Sequence, residues 1–190
     1  PPTDVHKTIP YFDPVLKYNQ KDYHSLLRRL ADIGIISWTS TPKCQVGLFA
    51  VEKDGGAAQR LIVDARRANE FFKAPPGVSL LSSEGLARFE VELPADAPLG
   101  SGWAAELLED FYLAVGLSDV SNCFHRLRVQ SWLSDYFCLP PAPAHVLGAT
   151  GQEVRGRLLG RTDAVTPCWA VLPMGYTRSM WFAQKINEAT

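Results

Sequence analysis

Residues 113–129, LAVGLSDVSNCFHRLRV, contain the carboxylate that is the clearest candidate for a chemical role in this sequence. Residues 113–117 form an apolar run with the length of one buried strand, and Asp119 follows closely after it. A carboxylate at the end of a strand points into the crevice at the sheet edge, where it can bind a hard cation such as Mg²⁺. The alternative is that Asp119 caps the turn after the strand, with Ser121 and Asn122 completing that turn.

A second group of candidate residues lies on a predicted β-hairpin. Residues 46–52 and 59–66 have strand character, and the sequence KDGG between them is typical of a turn. Counting by twos places four side chains on one face: Arg60, Ile62, Asp64 and Arg66. Arg60, together with Lys53 near the hairpin tip, could hold a polyphosphate, because Arg offers a planar fork of donors and Lys a compact charge. The alternative is a solvent-facing strand edge with an Arg–Asp pair.

Other elements must position these residues. Apolar residues at steps of three and four predict a helix over residues 21–33 that ends at Gly34. Residues 35–42 are predicted as a bend, residues 136–139 and 168–172 as strands, and residues 154–159 as part of a second hairpin. After Pro173-Met174-Gly175, residues 176–188 are predicted to be helical, with Thr177 as the cap.

Composition limits the class of protein. The 190 residues are 46% hydrophobic and 21% charged with a net charge of −1, as in an ordinary globular protein without a general attraction for nucleic acid. The four cysteines lie far apart and form no CxxC pair, which argues against a disulfide framework or a zinc knuckle. With no signal peptide or membrane-length apolar run, we expect a soluble intracellular protein without a membrane partner, in the cytoplasm or the nucleus.

Four blocks of sequence occur in an order that resembles reverse transcriptases, most closely those of retroelements. They are LLRRLADIGIISWTSTP, LFAVEKDGGAAQRLIVDARRAN, LSDVSNCF and AVLPMGYTRSMWFAQ, and the ordered set spans most of residues 23–188. The resemblance implies an α+β fold: the fingers and incomplete palm of a right-hand polymerase, with an antiparallel fingers hairpin and a palm sheet backed by helices. It divides the chain into an extended lead-in (1–20), fingers (21–85), the first part of the palm (86–129), further fingers (130–175) and a truncated palm helix (176–190).

The resemblance also implies a role for each candidate residue. Asp119 matches the first metal-binding carboxylate, assisted by the main-chain carbonyl of Val120, and Phe124 matches the aromatic residue that crowds the 2′-hydroxyl of an incoming nucleotide. Lys53 and Arg60 match residues that bind the dNTP triphosphate, and Pro173 and Gly175 match the turn that shapes the nucleotide pocket. The positions toward the template or the pocket are Asp64, Arg66, Ser179 and Gln184.

The implied activity is RNA-directed DNA polymerisation. Two Mg²⁺ or Mn²⁺ ions assist the attack of a primer 3′-OH on a dNTP, and the partners are an RNA or DNA template with its primer. The family's downstream pair of aspartates, the thumb and any RNase H domain would lie beyond Thr190, so the fragment alone is expected to be inactive. The alternatives are a degenerate polymerase-like domain that binds RNA or protein, and an α/β hydrolase-type enzyme, for which the sequence contains no motif. The polymerase assignment requires Asp119, the hairpin and the Gly175 turn to face one cleft.

Overall fold

The computed structural model describes residues 8–78 and 119–189, together with Gly85, Arg88 and Gly116. The chain divides into two compact units, one formed by Pro1–Val78 with Asn122–Thr190 and the other by Ser79–Ser121. In the described residues, helices are mixed with antiparallel sheets, which is compatible with the predicted α+β class. The predicted strand at 113–117 and most of the predicted first palm segment, 86–129, lie outside the described residues, so these two predictions stay untested.

Helix α1, Pro14–Tyr18, is the first helix of the first unit. The Asp13 side chain accepts a hydrogen bond from the Val15 amide at 2.8 Å, and Pro14 lies at the first helical position, where its missing N–H has no cost. Part of the predicted extended lead-in, residues 1–20, is therefore helical. The pair Asp13-Pro14 is the sequence signal for the start of this helix.

Helix α2, Gln20–Asp32, confirms the helix predicted over residues 21–33. Its buried side chains are Tyr23, Leu27 and Leu30, so the apolar spacing in the sequence does mark the face that enters the core. Gly34 follows with φ of 73°, a backbone conformation that glycine adopts without steric cost, and the helix ends there.

Three strands and a short helix follow. Strand β1, Ile36–Thr39, occupies part of the predicted bend. Strands β2, Gly47–Lys53, and β3, Ala58–Asp64, pair in antiparallel register from Gly47 opposite Asp64 to Lys53 opposite Ala58, which confirms the predicted hairpin. We call this pair of strands the ribbon. Because β3 ends at Asp64 in a tight turn, the predicted place of Arg66 on the strand is wrong: Arg66 begins helix α3, Arg66–Asn69.

The rest of the first unit contains short elements and one longer helix. In chain order they are α4 (Cys123–Arg126), α5 (Ser131–Ser134), β4 (Ala142–Pro143), α6 (Ala144–Leu147), β5 (Glu153–Val154), β6 (Arg157–Leu158), β7 (Ala164–Trp169) and α7 (Ser179–Glu188). Strands β5 and β6 confirm the second predicted hairpin. Helix α7 starts at Ser179, so the prediction that Thr177 caps this helix is wrong; Arg178 occupies the capping position and makes no side-chain capping bond.

Strand β7 is the central strand of a three-stranded antiparallel sheet with the order β1-β7-β4. Ile36 lies opposite Trp169 at one end of β1, and Ala142 of β4 lies opposite Val165. The predicted strand at 168–172 is therefore shifted, because β7 begins at Ala164. The predicted strand at 136–139 is reduced to isolated bridges at Cys138, since the chain turns away at Pro140 and Pro141, which have no N–H to donate.

The hydrophobic core lies between α2, the base of the ribbon and the three-stranded sheet. Its most deeply buried large side chains include Leu27, Val46, Leu48, Val63, Phe137, Leu139, Trp169 and Val171. Burying each of these contributes about 1.5–3 kcal/mol, so the core fixes how these elements meet. Among the residues that the model describes, no helix is long and apolar enough to cross a membrane.

Candidate functional site

One face of the ribbon carries two exposed cations. Lys53 is opposite Ala58 and Arg60 is opposite Val51, so alternation along the strands places Lys53, Arg60 and Val51 on the same face. Diagonal neighbours of this kind have Cα atoms about 7–8 Å apart. Lys53 lies 3.6 Å from the Asp54 carboxylate in an exposed pair, whereas Arg60 has no hydrogen bond or ion pair within the described part of the chain. The guanidinium of Arg60 is therefore available to an external anion.

Aromatic side chains continue this face toward the base of the ribbon. Phe49, opposite Ile62, lies two positions before Val51, and its ring meets the ring of Tyr11 edge-on with 5.4 Å between centroids. Tyr11 is half-exposed. Together these residues form a surface that combines positive charge with aromatic rings, which is the composition that binds single-stranded nucleic acid. The sequence does not predict this pair, because no local pattern indicates that residue 11 reaches the ribbon.

Asp64 is buried at the base of the ribbon and fully engaged with the protein. Arg66 donates to its two carboxylate oxygens at 2.8 and 2.7 Å, and the Tyr11 amide donates to one of them at 2.7 Å. The hydrogen bonds from Arg66 are the main cause that lowers the pKa of Asp64 to about 2. Both oxygens are thus occupied, and Asp64 is placed to hold Tyr11 and Arg66 in position.

The predicted Gly175 turn attaches to the base of the ribbon. Gly175 has φ of 115°, and a Cβ atom there would lie 2.4 Å from the Val63 carbonyl oxygen, so no other residue fits without displacing the strand. Asn69 of α3 donates to the Gly175 carbonyl at 2.9 Å and accepts from the Thr177 amide at 3.1 Å. The turn is therefore fixed against both β3 and α3.

Two other predicted residues complete this turn. Pro173 is fully buried, and the hydroxyl of Ser179 donates to the Pro173 carbonyl at 2.7 Å. This hydrogen bond links the turn to Ser179, the first residue of α7. Gln184 lies further along α7, half-buried, and hydrogen-bonds the Glu188 side chain.

Phe124 lies on α4, a single helical turn that follows Asn122 in the left-handed conformation. Its ring is partly buried and packs against the core, and α4 contacts α7. Phe124, Ser179 and the Gly175 turn therefore belong to the same unit as the ribbon.

Asp119 and Val120 belong to the second unit, Ser79–Ser121. Asp119 is exposed, and its carboxylate has no hydrogen bond or ion pair with any described residue. An exposed carboxylate beside a main-chain carbonyl offers the oxygen donors that suit Mg²⁺. Within the described ranges, however, no group of three acidic, His or Cys side chains is close enough together to hold a metal ion.

The structure thus brings together the ribbon, the Gly175 turn and Ser179. Asn69, for which the sequence predicts no role, hydrogen-bonds Gly175 and Thr177 and so links the turn to α3. An Asn shortly after a strand carries no specific signal, since its partners lie more than 100 residues away in sequence. Comparison with protein-family models and with curated proteins gives no match for this chain.

Proposed function

We propose that this chain forms the fingers and part of the palm of an RNA-directed DNA polymerase of the retroelement type, which extends a primer 3′-OH with dNTPs. The observation that supports it best is the attachment of the Gly175 turn to the base of a ribbon whose exposed face carries Lys53 and Arg60. These are two of the sequence blocks on which the resemblance to reverse transcriptases rests, and they lie more than 100 residues apart in the chain.

In this proposal, Arg60 and Lys53 bind the triphosphate of the incoming nucleotide. The guanidinium of Arg60 donates two parallel hydrogen bonds to phosphate oxygens, and the ammonium of Lys53 adds a point charge. Because Arg60 has no protein partner in the described ranges, it can bind phosphate without first breaking an ion pair. The exposed pair between Lys53 and Asp54 is weak and easily replaced.

The remaining residues act by shape and position. Phe124 excludes the 2′-hydroxyl of a ribonucleotide, and Pro173 and Gly175 shape the nucleotide pocket. Asp64 and Ser179 are engaged with the protein, so they contribute by holding Arg66, Tyr11 and the Gly175 turn in place near the template. Gln184 lies on the helix that follows.

Asp119 and the Val120 carbonyl would bind Mg²⁺ or Mn²⁺. When bound, the metal ions neutralise charge on the triphosphate and on the attacking primer oxygen. A single carboxylate is compatible with a Mg²⁺ ion that takes its other ligands from triphosphate and water, but two-metal chemistry needs further carboxylates.

The test measures formation of a ternary complex rather than turnover. A fluorescent primer-template is titrated with the protein by anisotropy, with and without Mg²⁺ and the next complementary dNTP. We expect the dNTP to tighten the complex, and Arg60→Gln and Asp119→Asn each to reduce this tightening about tenfold or more, as expected for loss of a charge-assisted contact. Arg157→Gln is the control, because Arg157 is also exposed but pairs with Asp163.

Two outcomes would contradict the proposal. If Arg60→Gln responds to dNTP like the wild type, Arg60 does not bind the triphosphate. If the protein binds the primer-template with strong salt dependence but ignores both dNTP and Mg²⁺, the degenerate binding domain is favoured instead.

A further inference from the structure

A cavity with a volume of about 360 Å³ lies on the first unit. Its walls come from the segment before α1, from α1 and α2, from the two residues before β2, from α3 and from the prolines before β4. Most of the lining is apolar, including Phe12, Leu16, the ring of Tyr23 and Pro140. This size and composition are typical of a pocket for a small ligand.

The polar part of the lining consists of the neutral Gln20 and Gln45 and of two basic side chains. Lys17 and Arg67 line the cavity, and none of the described residues that line it is acidic. The Nε atom of Arg67 is buried without a hydrogen-bond partner, and its guanidinium forms no ion pair within the described residues. The Glu70 carboxylate accepts a hydrogen bond from the Thr8 hydroxyl at Oε1, and its Oε2 atom is buried without a hydrogen-bond partner among the described residues. A buried, unpartnered donor is unfavourable, and an acceptor on a ligand would satisfy it.

The walls of the cavity are held in place without a ligand. The segment before α1 is fixed by hydrogen bonds from the Tyr11 amide to Asp64 at 2.7 Å and from the Asp13 amide to the Leu48 carbonyl at 2.9 Å. Elsewhere in the lining, the Tyr23 hydroxyl donates to the Pro140 carbonyl at 2.7 Å. A preformed cavity needs little ordering when a ligand binds, which favours affinity.

We propose that this cavity binds a small molecule consisting of an aromatic ring with one anionic group, a carboxylate or a phosphate. The guanidinium of Arg67 binds the anionic group, with Lys17 adding positive charge, and the ring packs among Phe12, Tyr23 and Pro140. Arg suits this role because its planar fork matches both carboxylate and phosphate oxygens. The aromatic and proline side chains give the ring flat apolar surfaces to contact.

The test uses phenyl phosphate and benzoate as probes, followed by NMR on the ¹⁵N-labelled chain. We expect saturable chemical-shift changes at the amides of Tyr23, Val46 and Arg67. Phenol, which lacks the anionic group, and inorganic phosphate, which lacks the ring, should bind at least tenfold more weakly. Arg67→Gln should weaken binding of phenyl phosphate at least tenfold and Arg67→Lys less. Comparison of the two probes shows which anionic group the cavity prefers.

Arg157→Gln is the matched control, since Arg157 is exposed and is not part of the cavity. If Arg67→Gln does not fold, Lys17→Gln on the exposed side of α1 serves as the second variant, with a smaller expected loss of about threefold. Binding that is unchanged in the folded variants, or shifts that map elsewhere, would overturn the proposal. So would equal binding of phenol and phenyl phosphate.

Discussion

The two ends of the ribbon differ in burial and in the contacts that hold them. At its base, Leu48 and Val63 are fully buried, Asp64 is locked by hydrogen bonds, and Gly47 lies so close to Tyr11 that a Cβ atom would fall 1.9 Å from the Tyr11 carbonyl oxygen. At the tip, from Val51 to Arg60, every side chain is exposed. The base is fixed by many independent contacts, whereas the tip contributes little to stability and is free to contact a ligand.

The largest expected effect comes from the turn that attaches to the base. Gly175→Ala should destabilise the protein by about 2–5 kcal/mol, because the new Cβ atom meets the Val63 carbonyl and the backbone conformation is strained. Chemical denaturation measures this loss. Gly77→Ala is the control: a Cβ atom there meets nothing within 4 Å, so its stability should stay near that of the wild type. If the two substitutions destabilised the protein equally, the turn at the base of the ribbon would have no special role in stability.

The next effect concerns Asp64. Asp64→Asn should destabilise the protein by about 1.5–3 kcal/mol, since it replaces charge-assisted hydrogen bonds from Arg66 and the Tyr11 amide. Because the folded-state pKa of about 2 lies below the ordinary value of 3.8, the wild type is expected to lose this contribution as the pH falls from about 4 to 2. Unfolding curves across that range should show a smaller acid dependence for Asp64→Asn. Parallel pH dependence of the two proteins would contradict the assignment.

The smallest effect is expected at the tip. Arg60→Gln should change the free energy of unfolding by no more than about 0.5 kcal/mol, because the exposed side chain has no hydrogen bond or ion pair in the described residues. The same denaturation measurement checks this. Such a result, together with loss of the dNTP response, would separate binding from folding; a large destabilisation would mean that the tip also supports the fold.

Local patterns in the sequence predict the elements whose partners are near in the chain. Helix α2 follows from the spacing of Leu27 and Leu30, and the ribbon follows from two strands and a glycine turn. Alternation along the strand also places Arg60 and Asp64 correctly on one face. It fails at Arg66, because the tight turn after Asp64 starts a helix.

Long-range contacts could not be predicted in this way. The pairing of β1 with β7, the ring contact between Tyr11 and Phe49, and the two hydrogen bonds of Asn69 all join distant positions. In each case the residue type is common and its partner is not specified locally. The burial of Asp64 also depends on a long-range contact, since the Tyr11 amide that donates to its carboxylate lies far earlier in the chain.

The central position of β7 also affects how the chain folds during synthesis. Strand β1 ends at Thr39, and its partner β7 begins roughly 125 residues later, at Ala164. At a translation rate of about 5–20 residues per second, β1 waits about 6–25 s before its partner leaves the ribosome. During that interval the backbone groups of β1 that will bond β7 remain unpaired, so the nascent chain is most exposed to aggregation until β7 has been made.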